Sequence, residues 1–115
     1  MKTHDFIILQ KAYHFLADHT DQKVRIAELA IHLGMSRTQL KKGFRELYGI
    51  SIHQFHLNKR LEKGYQLLIE TGQEIGTIAL QTGFKSQSSF TVAFKNKTGG
   101  ITPSDIRKLM QDHSR

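Results

Sequence analysis

Two short stretches of this chain carry side chains suited to holding a polyanion and reading its surface. The first is "SRTQLKKGFREL", residues 36 to 47. On a helix, Leu40, Phe44 and Leu47 share one face and leave Arg37, Thr38, Gln39, Lys41, Lys42 and Arg45 on the other. Lysine and arginine neutralise phosphates or donate to guanine edges, while glutamine and threonine read base edges or fix the backbone. A solvated basic face would have the same composition, but no acid interrupts this one between Arg37 and Arg45. The second stretch is "SQSSFTVAFKNK", residues 86 to 97, in which Phe90 and Phe94 face inward and Gln87, Ser88, Ser89 and Thr91 outward. Its tip is polar and nearly uncharged, with Lys95 and Lys97 towards the far end. Such a face positions and senses more than it attracts.

The elements that must hold these faces are helical almost throughout. Ile8, Ala12, Phe15 and Leu16 recur at helical spacing over residues 5 to 18. Ile26, Leu29, Ala30 and Leu33 predict a short helix stopped by Gly34. Ser36 with Gln39 predicts a capping box that opens a helix to about Leu47. Ser51 with Gln54 predicts the same device for a long helix to Glu70, with Leu57, Leu61, Gly64 and Leu68 on one side. Ile75, Ile78, Ala79 and Thr82 predict a short helix ending at Gly83, after which Ser86 begins another to about Lys97. Thr102 caps a final helix with Pro103 at its first position and Asp105 near its N-terminal dipole. No alternating stretch predicts a strand. The expected class is all-α, with about seven helices.

Within this succession lies a repeat. Leu29-Ala30 and Ile78-Ala79 are each followed by a glycine four residues after the alanine, Gly34 and Gly83, which stand 49 apart. Leu40 and Phe90, Phe44 and Phe94, and Gly49 and Gly99 each stand 50 apart, so the second copy holds one extra residue in its turn. A small residue permits close helix packing, and glycine ends the helix in the left-handed conformation. An apolar residue six positions on then anchors the next helix. This is the pattern of a helix-turn-helix whose second helix projects an exposed face. The expected organisation is one domain, residues 1–115. A first helix-turn-helix subdomain covers about 5–50, a connecting helix about 51–70 and a second subdomain about 74–112. A 20-residue connector spans about 30 Å, close to the ~34 Å turn of B-DNA. Two recognition helices, about 36–47 and 86–97, are thus expected in successive major grooves, with no dimer required.

The totals agree with a binding module. Lys and Arg number 17 against 10 acids, for a net charge of +7, which favours an anionic partner. No apolar run approaches the ~18 residues of a membrane span, and the N-terminus is no signal peptide. The chain has no cysteine, which fits a reducing, cytoplasmic setting. His53 and His56 stand three apart, a spacing that suits two metal ligands, but no third ligand is near in sequence. They are read as incidental, partly exposed histidines, and no metal or cofactor is expected. No nucleophile elbow, phosphate loop or paired-carboxylate motif points to an enzyme. The rival reading is a basic helical module for an acidic protein or a membrane surface.

From about Phe6 to Met110 the chain resembles the DNA-binding region of the AraC/XylS family of bacterial transcription regulators. The resemblance rests on "IAELAIHLGMSRTQLKKGF", "RLEKGYQLL" and "IALQTGFKSQSSFTVAFK", followed by a glycine and "TPSDIR". It implies two helix-turn-helix subdomains joined by a long helix. It also implies base contacts from Thr38, Lys41 and Lys42, with Arg37 and Gln39 near phosphates, and from Gln87, Ser88 and Ser89 in the second subdomain. Double-stranded DNA is the implied partner and RNA polymerase a second candidate, with activation and repression of transcription both open. A sensing domain usually accompanies this region, so an effector ligand is expected to act only through a domain not present in this chain. The immediate start at the first helix favours a C-terminal fragment of a longer, ligand-responsive regulator over a stand-alone member.

The chain departs from the family pattern at four places. Val92 stands where the second recognition helix often carries arginine, which weakens the expected contact. Gly100 adds a residue before Ile101, Thr102 and Pro103, so a looser approach of the last helix is expected. Arg25 replaces a capping Ser or Thr at a cost of about 1 kcal/mol. Gly64 replaces alanine, with a helix-propensity penalty of similar size.

Overall fold

Capping side chains and apolar spacing divide the chain much as its periodicity predicts. The computed structural model describes residues 1–113. Among the described residues there are seven helices and no strand. They are α1 (Thr3–Asp18), α2 (Ile26–Leu33), α3 (Arg37–Tyr48), α4 (Ile52–Glu70), α5 (Ile75–Gln81), α6 (Gln87–Thr98) and α7 (Pro103–His113). The predicted caps lie one residue outside the helices they open. Helix α5 ends at Gln81, just before Thr82 and the left-handed Gly83, and the Thr82 hydroxyl donates to the Ile78 carbonyl at 2.8 Å.

The caps differ in completeness. Ser36 Oγ accepts from the Gln39 amide at 3.1 Å while Gln39 Oε1 accepts from the Ser36 amide at 3.2 Å, a full capping box. At α4 only half of the expected box forms. Ser51 Oγ accepts from the Gln54 amide, but the Gln54 side chain donates to Asn58 Oδ1 at 2.8 Å instead of reaching back. Thr102 and Asp105 form an unpredicted reciprocal pair, hydroxyl to amide at 3.0 Å and carboxylate to amide at 3.2 Å. Arg25 caps nothing with its side chain, and lies 3.7 Å from Glu28 in an exposed ion pair that adds little.

Two compact units emerge. The first comprises Met1–His19 and Lys23–Lys59, so it holds α1, α2, α3 and the N-terminal part of α4. Leu9, Ala12 and Leu16 of α1 meet Ile26, Leu29 and Ala30 of α2, Leu40 and Phe44 of α3, and Ile52 and Phe55 of α4 in one buried cluster. Aromatic rings close it, with Phe44 4.7 Å from Tyr48 and Tyr13 4.6 Å from Phe55 between centroids. Gly34, at φ +72°, ends α2 and its amide donates to Ile31, which sends the chain directly into the α3 cap.

The second unit comprises Thr20–Gln22 and the chain from Arg60 onward. Its core is Leu61 and Leu68 of α4, Ile78 and Ala79 of α5, and Phe84, Phe90 and Phe94. Gly64 is no simple penalty here. The Phe90 ring sits against the α4 backbone, 2.7 Å from where a Gly64 Cβ would stand, so the missing methyl is the space that Phe90 fills. Gly83, at φ +80°, repeats the turn made by Gly34. The doubled glycine is not a loose joint: the Gly100 amide donates to the Lys95 carbonyl at 2.9 Å and the Ile101 amide to Thr98 Oγ1 at 3.1 Å. Arg107 of α7 then donates to the Leu68 and Thr71 carbonyls, at 3.0 and 3.1 Å, and so caps the C-terminal end of α4.

Candidate nucleic-acid interface

Each projecting helix is fixed by a pair of buried side chains four residues apart. Leu40 and Phe44 of α3 are both 0% exposed, and Phe90 and Phe94 of α6 are 0% and 3% exposed. At 3.6 residues per turn, the positions opposite Leu40 and Phe44 are 38, 42 and 45. Thr38, Lys42 and Arg45 are exposed there, with Arg37 and Lys41 on one flank and Gln39 and Glu46 on the other. Arg37, Thr38, Gln39, Lys41 and Lys42 therefore all reach solvent on one helix. Arg45, which periodicity placed outside but outside the contact set, belongs to the outermost ridge by its spacing of three from Lys42. Lys42 also borders a recess between α1 and α3 that it shares with Asp5 and Glu46, two carboxylates that temper this part of the face.

The same positions of α6 hold Ser88, Val92 and Lys95, all exposed. Val92 is 59% exposed and takes the place that Lys42 takes on α3, 50 residues earlier. An apolar side chain thus stands at the middle of the second face, which could meet a thymine methyl but not a phosphate. Gln87, Ser88 and Ser89 are exposed as expected, although Ser89 is already engaged. Ser86 Oγ accepts from the Ser89 amide and lies 3.1 Å from the Ser89 hydroxyl, which makes Ser89 part of the cap. The Gln87 amide oxygen folds back towards α5, 3.2 Å from the position a Gly76 Cβ would occupy. Gln39 is likewise held by its cap on α3.

The turn that aims α6 is locked from within its own unit. In the second unit Arg60 of α4 is 6% exposed. Its Nε donates to the Thr82 carbonyl at 2.8 Å, its Nη2 to the Gly83 carbonyl at 2.9 Å, and its guanidinium lies 4.2 Å from the Phe84 ring centroid. Burial lowers its pKa below the usual arginine value. This positioning role had no signal in the sequence, where Arg60 is one cation among 17. In the first unit His56 is not the partly exposed residue expected from its spacing. It is 3% exposed, and its Nε2 donates to the His19 carbonyl at 2.7 Å, so it tethers the end of α1 to α4. His53 is exposed, and its pKa is lowered by partial burial and by the positive charges of Lys41, Arg37 and Lys23. Among the described residues no three His, Cys, Asp or Glu side chains are grouped to hold a metal ion. No helix among them is long and apolar enough to cross a membrane.

Comparison with known proteins gives the arrangement a lineage. Residues 29–109 match a family described as "Helix-turn-helix domain". The chain is similar to the probable transcriptional regulator LumQ of Photobacterium leiognathi, 34% identical over 86 residues, covering 75% of this chain and 35% of LumQ. It is 32% identical over 99 residues to the xylose operon regulatory protein of Escherichia coli K12, covering 86% of this chain and 25% of that protein. It thus spans about a third and a quarter of the length of these two regulators. A crystal structure of a transcriptional regulator from Chromobacterium violaceum, described with AraC-type DNA-binding domain-containing proteins, superposes with a TM-score of 0.82 at 27% identity, covering 95% of this chain and 96% of that one. With seven helices in the expected order among the described residues and two helix-turn-helix units, the chain belongs to the AraC/XylS family of helix-turn-helix transcription regulators, as a DNA-binding domain of that family.

Proposed function

We propose that this domain binds duplex DNA asymmetrically as a single chain, with α3 and α6 in successive major grooves. The observation that carries the reading is the paired construction of the two helices. Each is anchored by a buried pair at the same repeat offset and presents residues 38, 42 and 45, or 88, 92 and 95, on its exposed side. Thr38, Lys41 and Lys42 are the base-contacting set of α3, with Arg37 and Gln39 near phosphates, and Gln87, Ser88 and Ser89 are the set of α6. The length of α4, 19 residues and so about 28 Å, supports this spacing against a B-DNA turn of about 34 Å. The affinity comes mainly from the cationic α3, and α6 adjusts specificity.

In this reading the domain has no catalytic role and works in the cytoplasm. An effector acts through a further domain of a longer regulator, and RNA polymerase is the second macromolecular partner. The test is a gel-shift titration over a salt series. Lys42→Ala should weaken binding and reduce the salt slope by about 1. An unchanged slope would remove α3 from the interface. Gln87→Ala should relax base preference at one position of a selected binding site, and an identical selected site would remove Gln87 from base readout. Binding that required lipid, or that showed no preference among duplex sequences, would favour the acidic-surface module instead.

A further inference from the structure

Three elements of the first unit bring ionisable side chains to the flank of α3. Val24 in the segment before α2, Leu40 on α3 and Ile52 on α4 all pack into one apolar cluster. The residue beside each, Lys23, Lys41 and His53, is exposed. Arg37 lies one turn before Lys41 on the same side of α3. The charges that bear on the His53 imidazole are those of Lys41 and Arg37 from α3 and Lys23 from the preceding segment, all positive. Partial burial is the larger cause, and together they hold the imidazole below the ordinary histidine pKa of about 6.5. In the free domain His53 is therefore neutral at physiological pH, at the edge of a cationic group.

We propose that Lys23, Arg37 and His53 form a phosphate-holding surface beside the base-contacting Lys41, and that His53 takes up a proton when a DNA phosphate enters it. The proposal rests on the DNA-binding reading above. A phosphate among these side chains cancels the repulsion that disfavours the imidazolium, and the imidazolium N–H then donates to a phosphate oxygen. The proton comes from solvent. Because the pKa is higher in the complex than in the free domain, the proton-linked gain in affinity is complete below the free-state pKa. It is lost as pH rises through the bound-state pKa. The window opens below the ordinary histidine value and closes above it. Each unit of difference between the two states is tenfold in affinity.

The experiment is a fluorescence-anisotropy titration with an end-labelled duplex of mixed sequence, since phosphate contacts are independent of sequence. Wild type, His53→Gln and His53→Lys are compared between about pH 5.5 and about pH 8 at constant ionic strength. The wild type is expected to gain roughly three- to tenfold more affinity than His53→Gln as pH falls, and to meet it at high pH. At low pH its salt slope should exceed that of His53→Gln by about 1. His53→Lys should bind tightly without this pH dependence. The His53 imidazole resonances of the wild type should report a higher pKa with DNA than without it, a measurement that needs no variant. Superimposable pH profiles for wild type and His53→Gln, or an unchanged His53 pKa on DNA, would overturn the proposal while steep salt dependence kept the DNA-binding reading intact. Salt-insensitive binding by all three proteins would overturn that reading and this proposal together.

Discussion

Phe90 occupies the space that Gly64 leaves open: a Cβ on Gly64 would stand 2.7 Å from Cε1 and 2.9 Å from Cζ of its ring. Phe90 is fully buried and touches Phe84 and Phe94, at centroid separations of 5.3 and 5.7 Å, so it has no room to retreat. The prediction is that Gly64→Ala destabilises the protein. Alanine gains about 1 kcal/mol of helix propensity, but overpacking a filled core costs roughly 1 to 3 kcal/mol. Urea unfolding should show a lower midpoint with an unchanged slope, and Phe90→Leu in the same chain should recover part of the loss. A Gly64→Ala protein more stable than wild type would show that the ring moves easily.

Arg60 supports the second turn in a different way, by charge-assisted hydrogen bonds to the Thr82 and Gly83 carbonyls. Arg60→Met is predicted to cost about 2 to 4 kcal/mol, since it leaves the Thr82 and Gly83 carbonyls without this donor. Arg60→Lys should recover less than half, because a point charge cannot bridge two carbonyls and stack on Phe84. Thermal unfolding distinguishes these outcomes, and equal stability of all three proteins would contradict the role.

Val92 sets the charge of the second face. Val92→Lys places on α6 the cation that Lys42 supplies on α3, and should steepen the salt dependence of DNA binding by about 1. The gain in affinity for mixed-sequence duplex should be several-fold at low salt and fade at high salt. A gel-shift salt series decides it. No change would mean that the centre of α6 does not approach DNA.

Acid should unlock the last helix. The Thr102 hydroxyl and amide hold the Asp105 carboxyl below the usual carboxylate range, with smaller help from Lys108 and Lys95. Its folded-state pKa is depressed, so its contribution to stability is present above the unfolded value and lost as pH falls through the folded one. Melting curves of wild type and Asp105→Asn should differ near neutral pH and converge in acid. A constant difference across the series would assign the effect to something other than this carboxylate.

Much of the architecture was legible because it is local. Ser36, Ser86 and Thr102 mark helix starts through hydrogen bonds that span three residues, and Gly34 and Gly83 mark turns through their own backbone angles. The exposed sets on α3 and α6 followed from spacing against Leu40, Phe44, Phe90 and Phe94. Less visible were the engagements that cross the sequence. Gln39 and Ser89 are partly spent on caps, Gln87 lies back towards Gly76, and His56 is buried against the His19 carbonyl. Spacing gives the side of a helix on which a residue sits, but not whether its cap or a distant segment has already taken its hydrogen bonds.

The sequence by itself determined the helices of the described residues and their order, because periodicity, caps and turn glycines are interactions within a few residues of one another, and its motifs carried the resemblance to the family. Only the tertiary structure decided the sign of Gly64, which looked like a propensity defect and is the seat of Phe90, 26 residues away. It likewise decided that Arg60 belongs to the turn at Gly83 and Arg107 to the end of α4. The reason is physical. A buried ring or a buried guanidinium takes its energy from the atoms packed around it, and those atoms come together only when distant segments fold onto one another.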